Sequence, residues 1–177
     1  MVDSVTRPQR IAIITPAARG SSSGNRVTAL RWAGLLRQLG HCVTIATEWR
    51  NQAADVLITV HAVKSADSVL AASCDRPNIR IITLLAGTDI YPSFEPDETT
   101  TAALARANAL IALQPRALNL LPEQLREKSY TLVQSATAVT SPRNQQFTAA
   151  VIAHLRPIKQ PHIAIQAAAM LAPKIDI

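Results

Sequence analysis

Short apolar runs alternate with helical patterns along most of this 177-residue chain. That alternation predicts an α/β fold, a parallel sheet with helices on both faces. Two further observations agree. The apolar runs lack polar alternation, as strands covered on both sides should. The polar residues that carry chemistry fall just after the runs, and parallel sheets bind ligands beyond the carboxyl ends of their strands.

The first run, residues 10–15 (RIAIIT), is rich in β-branched residues and stops at Pro16. Residues 17–25 are small and polar, with Gly20, three serines and Gly24. Helical spacing starts near Arg26, with Ala29, Trp32, Ala33, Leu36 and Leu39 on one face and Gly40 as the stop. Residues 41–47 (HCVTIAT) and 55–60 (DVLITV) read as the second and third strands, the latter running into His61-Ala62. Residues 63–73 form a short amphipathic helix. Residues 80–85 (RIITLL) are a fourth strand that ends at Ala86-Gly87-Thr88-Asp89. A helix over 99–107 leads to a fifth strand at 109–113, and Gln114-Pro115 opens another helical stretch. Pro122 suits the first position of a further turn, and residues 130–133 make a sixth strand.

Composition then shifts. Residues 134–148 (QSATAVTSPRNQQFT) are rich in Ser, Thr, Pro and Gln, as a linker is. Residues 149–153 (AAVIA) read as a new strand, 154–160 as a loop, 161–171 as a helix and 174–177 as the opening of another strand. One βα unit and a strand stub cannot bury their own faces. The expected organisation is a Rossmann-like domain over 1–133, a linker over 134–148, and the first βα unit of a truncated second domain over 149–177. The apolar face left uncovered points to self-association.

Hydrophobic residues make up 48% of the chain and charged ones 17%, enough apolar content for a core, while aromatics are only 3%. The net charge is +6. Residues 1–54 hold seven Lys/Arg against two Asp/Glu. With no lysine-rich run and no aromatic series, this excess points to a small anionic ligand rather than nucleic acid. The polar start MVDSVTRPQR is unlike a signal peptide, and no apolar run reaches the length of a membrane span. Cys42 and Cys74 sit in apolar contexts and read as buried free thiols of a cytoplasmic protein. His41, His162 and Met170 also read as structural. No CxxC, HExxH or Asp-x-Asp spacing is present, so no metal is expected.

The segment between the first strand and the first helix is the leading candidate site. A glycine-serine loop at a helix N-terminus offers free N–H groups and the positive end of the helix dipole to an anion. Gly20, Gly24, Asn25 and Arg26 lie on it, with Arg19 and Arg31 adding charge. It is neither GxGxxG nor a Walker A loop, and a solvated turn is the competing reading. His61 is either a general base or a histidine that caps a strand end by hydrogen bonding. Thr88 and Asp89 either meet a ligand or shape an Asx-type turn after Gly87. Lys64, Arg156 and Lys159 either neutralise phosphate or are solvated surface charges.

Five segments in order, GNRVTALRWAGLLRQLGH, HAVKS, AGTDIY, IALQP and HLRPIKQP, resemble motifs of the selenosugar synthases of selenoneine biosynthesis. That family is similar to the retaining GT-B glycosyltransferases, which have two Rossmann-like domains and a cleft between them. The resemblance implies an enzyme that joins selenophosphate to the sugar of a UDP-sugar, with no cofactor beyond these substrates. It places Gly24, Asn25, Arg26, Lys64, Thr88 and Asp89 on the acceptor side of the cleft, and Arg156 and Lys159 against the donor diphosphate. Ala86 stands where that pattern has Thr. The acidic motif for the nucleotide ribose is absent, so the resemblance gives this chain half a cleft. The other functions open to the sequence are an ordinary GT-B transferase with an oxygen acceptor and a non-catalytic module that binds a phosphorylated ligand.

Overall fold

Five apolar runs and a short polar one, Ser129–Thr131, form six strands that lie side by side in one sheet. They are β1 (Arg10–Ile14), β2 (Cys42–Ala46), β3 (Val56–Val60), β4 (Arg80–Leu85), β5 (Ala109–Ala112) and β6 (Ser129–Thr131). The order is β2-β1-β3-β4-β5-β6, and every neighbouring pair is parallel. The computed structural model describes residues 7–138, 150–153, 155 and 157–171. Helices α1 (Gly24–Gln38), α2 (Ala66–Asp75), α3 (Glu98–Arg106) and the one-turn α4 (Glu123–Arg126) connect the strands, and Pro115–Leu120 is a 3-10 helix. The fold is Rossmann-like. The chain divides into two compact units, Met1–Ser135 and Ala136–Ile177.

Alternate residues of each strand feed two cores, because successive side chains point to opposite faces. Ala12, Ile14, Leu57, Ile81 and Leu110 pack with Val69 and Ala72 of α2 and with Ala103 and Leu104 of α3. Ile11, Ile13, Ile58, Val60 and Leu84 pack on the other face with Ala29 and Ala33 of α1. A strand with neighbours on both faces has no polar side, which explains the continuous apolar runs. Because β1 lies between β2 and β3, the winding direction reverses there. The crevice of such a reversal opens at the carboxyl ends of β1 and β3.

Local chemistry sets the helix ends. Ser23 caps α1, its hydroxyl accepting from Arg26 N, so the helix starts at Gly24, ahead of the apolar spacing. Gly40 follows with φ +87°, the left-handed turn that a glycine takes at least cost. Leu39, expected on the buried face, is the C-cap and is 72% exposed. At the far end of α3, Lys128 Nζ donates to the carbonyls of Leu104, Ala105 and Ala107 at 2.8, 3.2 and 2.7 Å. These are orphan acceptors of the last helical turn. Pro122 stands one position before α4, in extended conformation, rather than inside its first turn.

The sequence misplaces several other residues. Cys42 and Cys74 are exposed rather than buried. Cys42 begins the edge strand β2, in which Val43 is the buried residue. Cys74 lies in the last turn of α2, off the stripe of Ala66, Val69 and Ala72 that faces the sheet. His41 does serve structure, its Nδ1 accepting from Gln9 N at 3.2 Å. In the second unit, Pro157–Lys159 is a 3-10 turn and α5 spans Pro161–Leu171. His162 and Met170 are exposed on α5 and are not core. Residues 150–153 are exposed and not a strand, since no neighbouring strand pairs with them among the described residues. The strand expected at 174–177 lies outside the described residues.

Two leucines separate core from surface. Leu84 is fully buried and Leu39 is not. Leu84→Ala should cost about 2–5 kcal/mol, and Leu39→Ala should stay within about 0.5 kcal/mol. Urea unfolding of the two variants checks this.

Candidate functional site

At the carboxyl end of β3 the chain must turn sharply before α2. His61 makes that turn with φ +80°, a conformation that non-glycine residues rarely hold. Its N–H donates to Leu84 O at 2.9 Å and its carbonyl accepts from Ser65 N at 3.1 Å, so both neighbours fix the strained residue. Strain of this kind costs on the order of 1–3 kcal/mol. Ser65 closes the turn from the other side, its hydroxyl donating to Val60 O at 3.0 Å. This turn also moves the start of α2 to Ala66, later than the apolar pattern places it.

The next strand supplies the partner loop. After β4, Gly87 takes φ +113°, and the chain folds back so that Asp89 points inward. One Asp89 carboxylate oxygen accepts from Gly87 N at 2.8 Å. The other accepts from Ala62 N at 2.7 Å and Ala86 N at 3.1 Å. The Asp89 side chain has no exposed surface. In this structure it ties the β3 and β4 loops together by accepting three backbone N–H groups.

The imidazole of His61 lies between these loops. His61 Nε2 is 3.1 Å from the hydroxyl oxygen of Thr88, which is itself exposed at the rim. Nδ1 accepts from Lys64 N at 3.4 Å and sits 3.7 Å from Asp89 Oδ2. Assigned from this network, the ring proton is on Nε2. Burial pushes the His61 pKa below the usual histidine value, against the pull of the Asp89 charge, and the Lys64 charge lowers it further. At neutral pH the ring is therefore uncharged. In this arrangement the buried ring orients the exposed Thr88 hydroxyl, which is the group free to donate to a ligand oxygen.

The loop after β1 occupies the other side of the switch-point crevice. Gly20 has φ +84°, and Ser21 N donates to Ala18 O at 3.1 Å to close the turn. The Ser21 hydroxyl then accepts from Ser23 N at 3.1 Å. Ser23 satisfies Arg26 N, while the amides of Gly24 and Asn25 meet no protein acceptor among the described residues. Arg26 lines an open groove of about 460 Å³ with Arg19, Glu48 and Arg50. Arg50 Nε is bound to Glu48 at 2.7 Å, which occupies that pair. Arg26 Nε is shut off from solvent and unpartnered among the described residues, as is the hydroxyl of the fully buried Thr15 at the end of β1. Orphaned donors are costly unless a ligand or water meets them.

The structure thus joins His61, Thr88 and the backbone of Lys64 by hydrogen bonds, with the Asp89 carboxylate 3.7 Å from the ring. The Lys64 side chain is exposed. Gly20 in the loop after β1, and Gly24, Asn25 and Arg26 in the first turn of α1, make no hydrogen bond to that cluster among the described residues. Lys159 is exposed in the second unit, and Arg156 lies outside the described residues. Sequence reasoning missed Thr15 and Arg50, whose residue types are common in strand ends and solvated loops. It also missed Tyr91, whose hydroxyl accepts from the Gln114 amide across the ends of β4 and β5. Among the described residues no group of three His, Cys, Asp or Glu side chains is placed to hold a metal ion, and no helix is long and apolar enough to cross a membrane. No protein-family model and no curated protein matches the chain.

The lowered His61 pKa makes stability pH-dependent. The unfolded chain takes up this proton near pH 6.5 and the folded chain only at lower pH. Between those values the unfolded state holds more protons, so stability falls as pH drops below 6.5 and is whole above it. Urea unfolding at pH 7.5 and 5.5 should show that loss, and His61→Gln should remove His61's share of it. Asp89→Asn removes the charge that raises the His61 pKa, so the ring should titrate lower still by histidine NMR.

Proposed function

We propose that the Rossmann-like unit is the acceptor-side half of a UDP-sugar-dependent glycosyltransferase, specifically a selenosugar synthase. One observation carries the reading. The arginine-bearing loop after β1 and the His61–Thr88 cluster after β3 and β4 stand at the carboxyl edge where the strand order reverses. The resemblance of the five sequence segments to that family supplies the reaction.

In that reaction the anomeric carbon–oxygen bond to UDP breaks and its electron pair leaves with UDP. Selenium of selenophosphate donates the pair that forms the new carbon–selenium bond. Selenophosphate arrives as an anion, so it needs oriented donors more than a base. The Gly24 and Asn25 amides and the Arg26 guanidinium supply such donors at the positive end of α1. An uncharged His61 donates its Nε2 proton to the Thr88 hydroxyl oxygen and so orients the exposed Thr88 O–H toward a substrate oxygen, with no proton transfer. Lys64 adds charge at the same rim, and Arg156 and Lys159 would neutralise the departing diphosphate. UDP-sugar and selenophosphate are the expected partners, in the cytoplasm, with no metal.

An acceptor site on one wall of a cleft should hold phosphate weakly, with Kd near millimolar, about −4 kcal/mol. Phosphate titration followed by backbone amide NMR should move residues 20–26, and Arg26→Ala should remove most of the effect. Shifts elsewhere, or shifts that survive Arg26→Ala, would return the loop to a solvated turn. Release of UDP from UDP-N-acetylglucosamine should require selenophosphate. Release driven equally by a hydroxyl acceptor would favour an ordinary GT-B transferase, and binding without release a non-catalytic module.

A further inference from the structure

A second groove lies at the opposite edge of the sheet. It has a volume of about 990 Å³ and opens at the amino ends of β1, β3 and β4. Sheet register puts Arg10 level with Asp55, and Arg80 one residue further along, opposite Val56. Ile11 and Arg80 both pair with Val56, and the backbone links Asp55 N to Arg10 O at 2.8 Å and Arg80 N to Asp55 O at 3.3 Å. Arg76, the C-cap of α2, and Arg7, ahead of β1, complete the charged wall.

Four arginines, Arg7, Arg10, Arg76 and Arg80, line this groove against one carboxylate, Asp55. That carboxylate is already engaged. It accepts from Arg10 Nη2 at 2.6 Å and Nε at 3.2 Å, and this pairing holds its pKa down at about 2. Arg76 and Arg80 have no carboxylate within ion-pair reach among the described residues. Arg76 Nε is also closed off from solvent without a protein partner among them. Gathering like charges opposes folding, and the carbonyl end of α2 offsets only part of it. An anion removes the conflict. Ala54, Ile79 and Pro77 give the groove an apolar floor beside the charge, which suits a ligand with an organic body as well as phosphates.

We propose that this groove is a binding site for a small organic polyphosphate, such as a nucleoside di- or triphosphate. Arg76 and Arg80 bind the phosphates as bidentate donors, and Arg10 stays with Asp55 as the ordered edge of the site. Strands of five residues rise about 3.3 Å per residue, so the two edges of the sheet are roughly 16 Å apart. A ligand here does not reach residues 20–26, and the assignment stands independently of the transferase reading.

ADP and inorganic diphosphate, titrated into the full chain by calorimetry and amide NMR, test it. ADP should move residues 54–56 and 76–80, bind more weakly as salt rises, and bind at least about tenfold tighter than inorganic diphosphate. Arg80→Ala, at an exposed position, should weaken ADP about tenfold or more. Arg76→Ala should do the same, with Arg76→Lys recovering only part because a lysine makes no fork. Circular dichroism shows which variants fold, and Arg26→Ala should leave ADP binding at this edge unchanged. ADP shifts confined to residues 20–26, unchanged affinity in Arg80→Ala, or equal affinity for ADP and inorganic diphosphate would each overturn the assignment.

Discussion

One buried carboxylate holds the functional edge of this fold together. Asp89 receives three backbone N–H groups from two loops that follow different strands. Hydrogen bonds to a charged acceptor are shorter and stronger than neutral ones, and these three replace bonds that the loops have no other way to make. With the loops fixed, His61 is held beside Thr88 at 3.1 Å. Remove the carboxylate and three buried donors are left without an acceptor, so position and protonation at this edge fail together.

The electrostatics of the site follow from that arrangement. Asp89 is close enough to His61 to moderate the effect of burial and not close enough to charge the ring. The result is an uncharged imidazole and hydroxyl at the ends of β3 and β4, with the exposed Lys64 nearby, beside a positively charged loop at the end of β1. A ligand with an anionic end and a polar neutral body matches this division.

The sheet was legible because its strands are covered on both faces, so periodicity and β-branching agree. The first five strands fall where the apolar runs lie, whereas the sixth is the mostly exposed Ser129–Thr131, shifted from the expected 130–133, and no helix lies between β2 and β3. His61 and Gly87-Thr88-Asp89 were legible by position, since residues after parallel strands collect at one edge. The role of Asp89 was not, because a carboxylate that binds backbone and one that binds ligand look alike in a sequence. The exposure of Cys42 and Cys74 was hidden by apolar neighbours that point the other way. The gathering of Arg10, Asp55, Arg76 and Arg80 at one groove was invisible for a different reason. It depends on pairing between strands far apart in the chain, which periodicity does not encode.

The positive φ of His61 has an evolutionary consequence. A glycine would occupy that turn without strain, so selection for stability alone pushes this position toward glycine. Histidine survives there only while the imidazole confers an advantage larger than the strain. In a lineage that loses the ligand, the position is free to drift, and substitution at this turn should be an early mark of lost function.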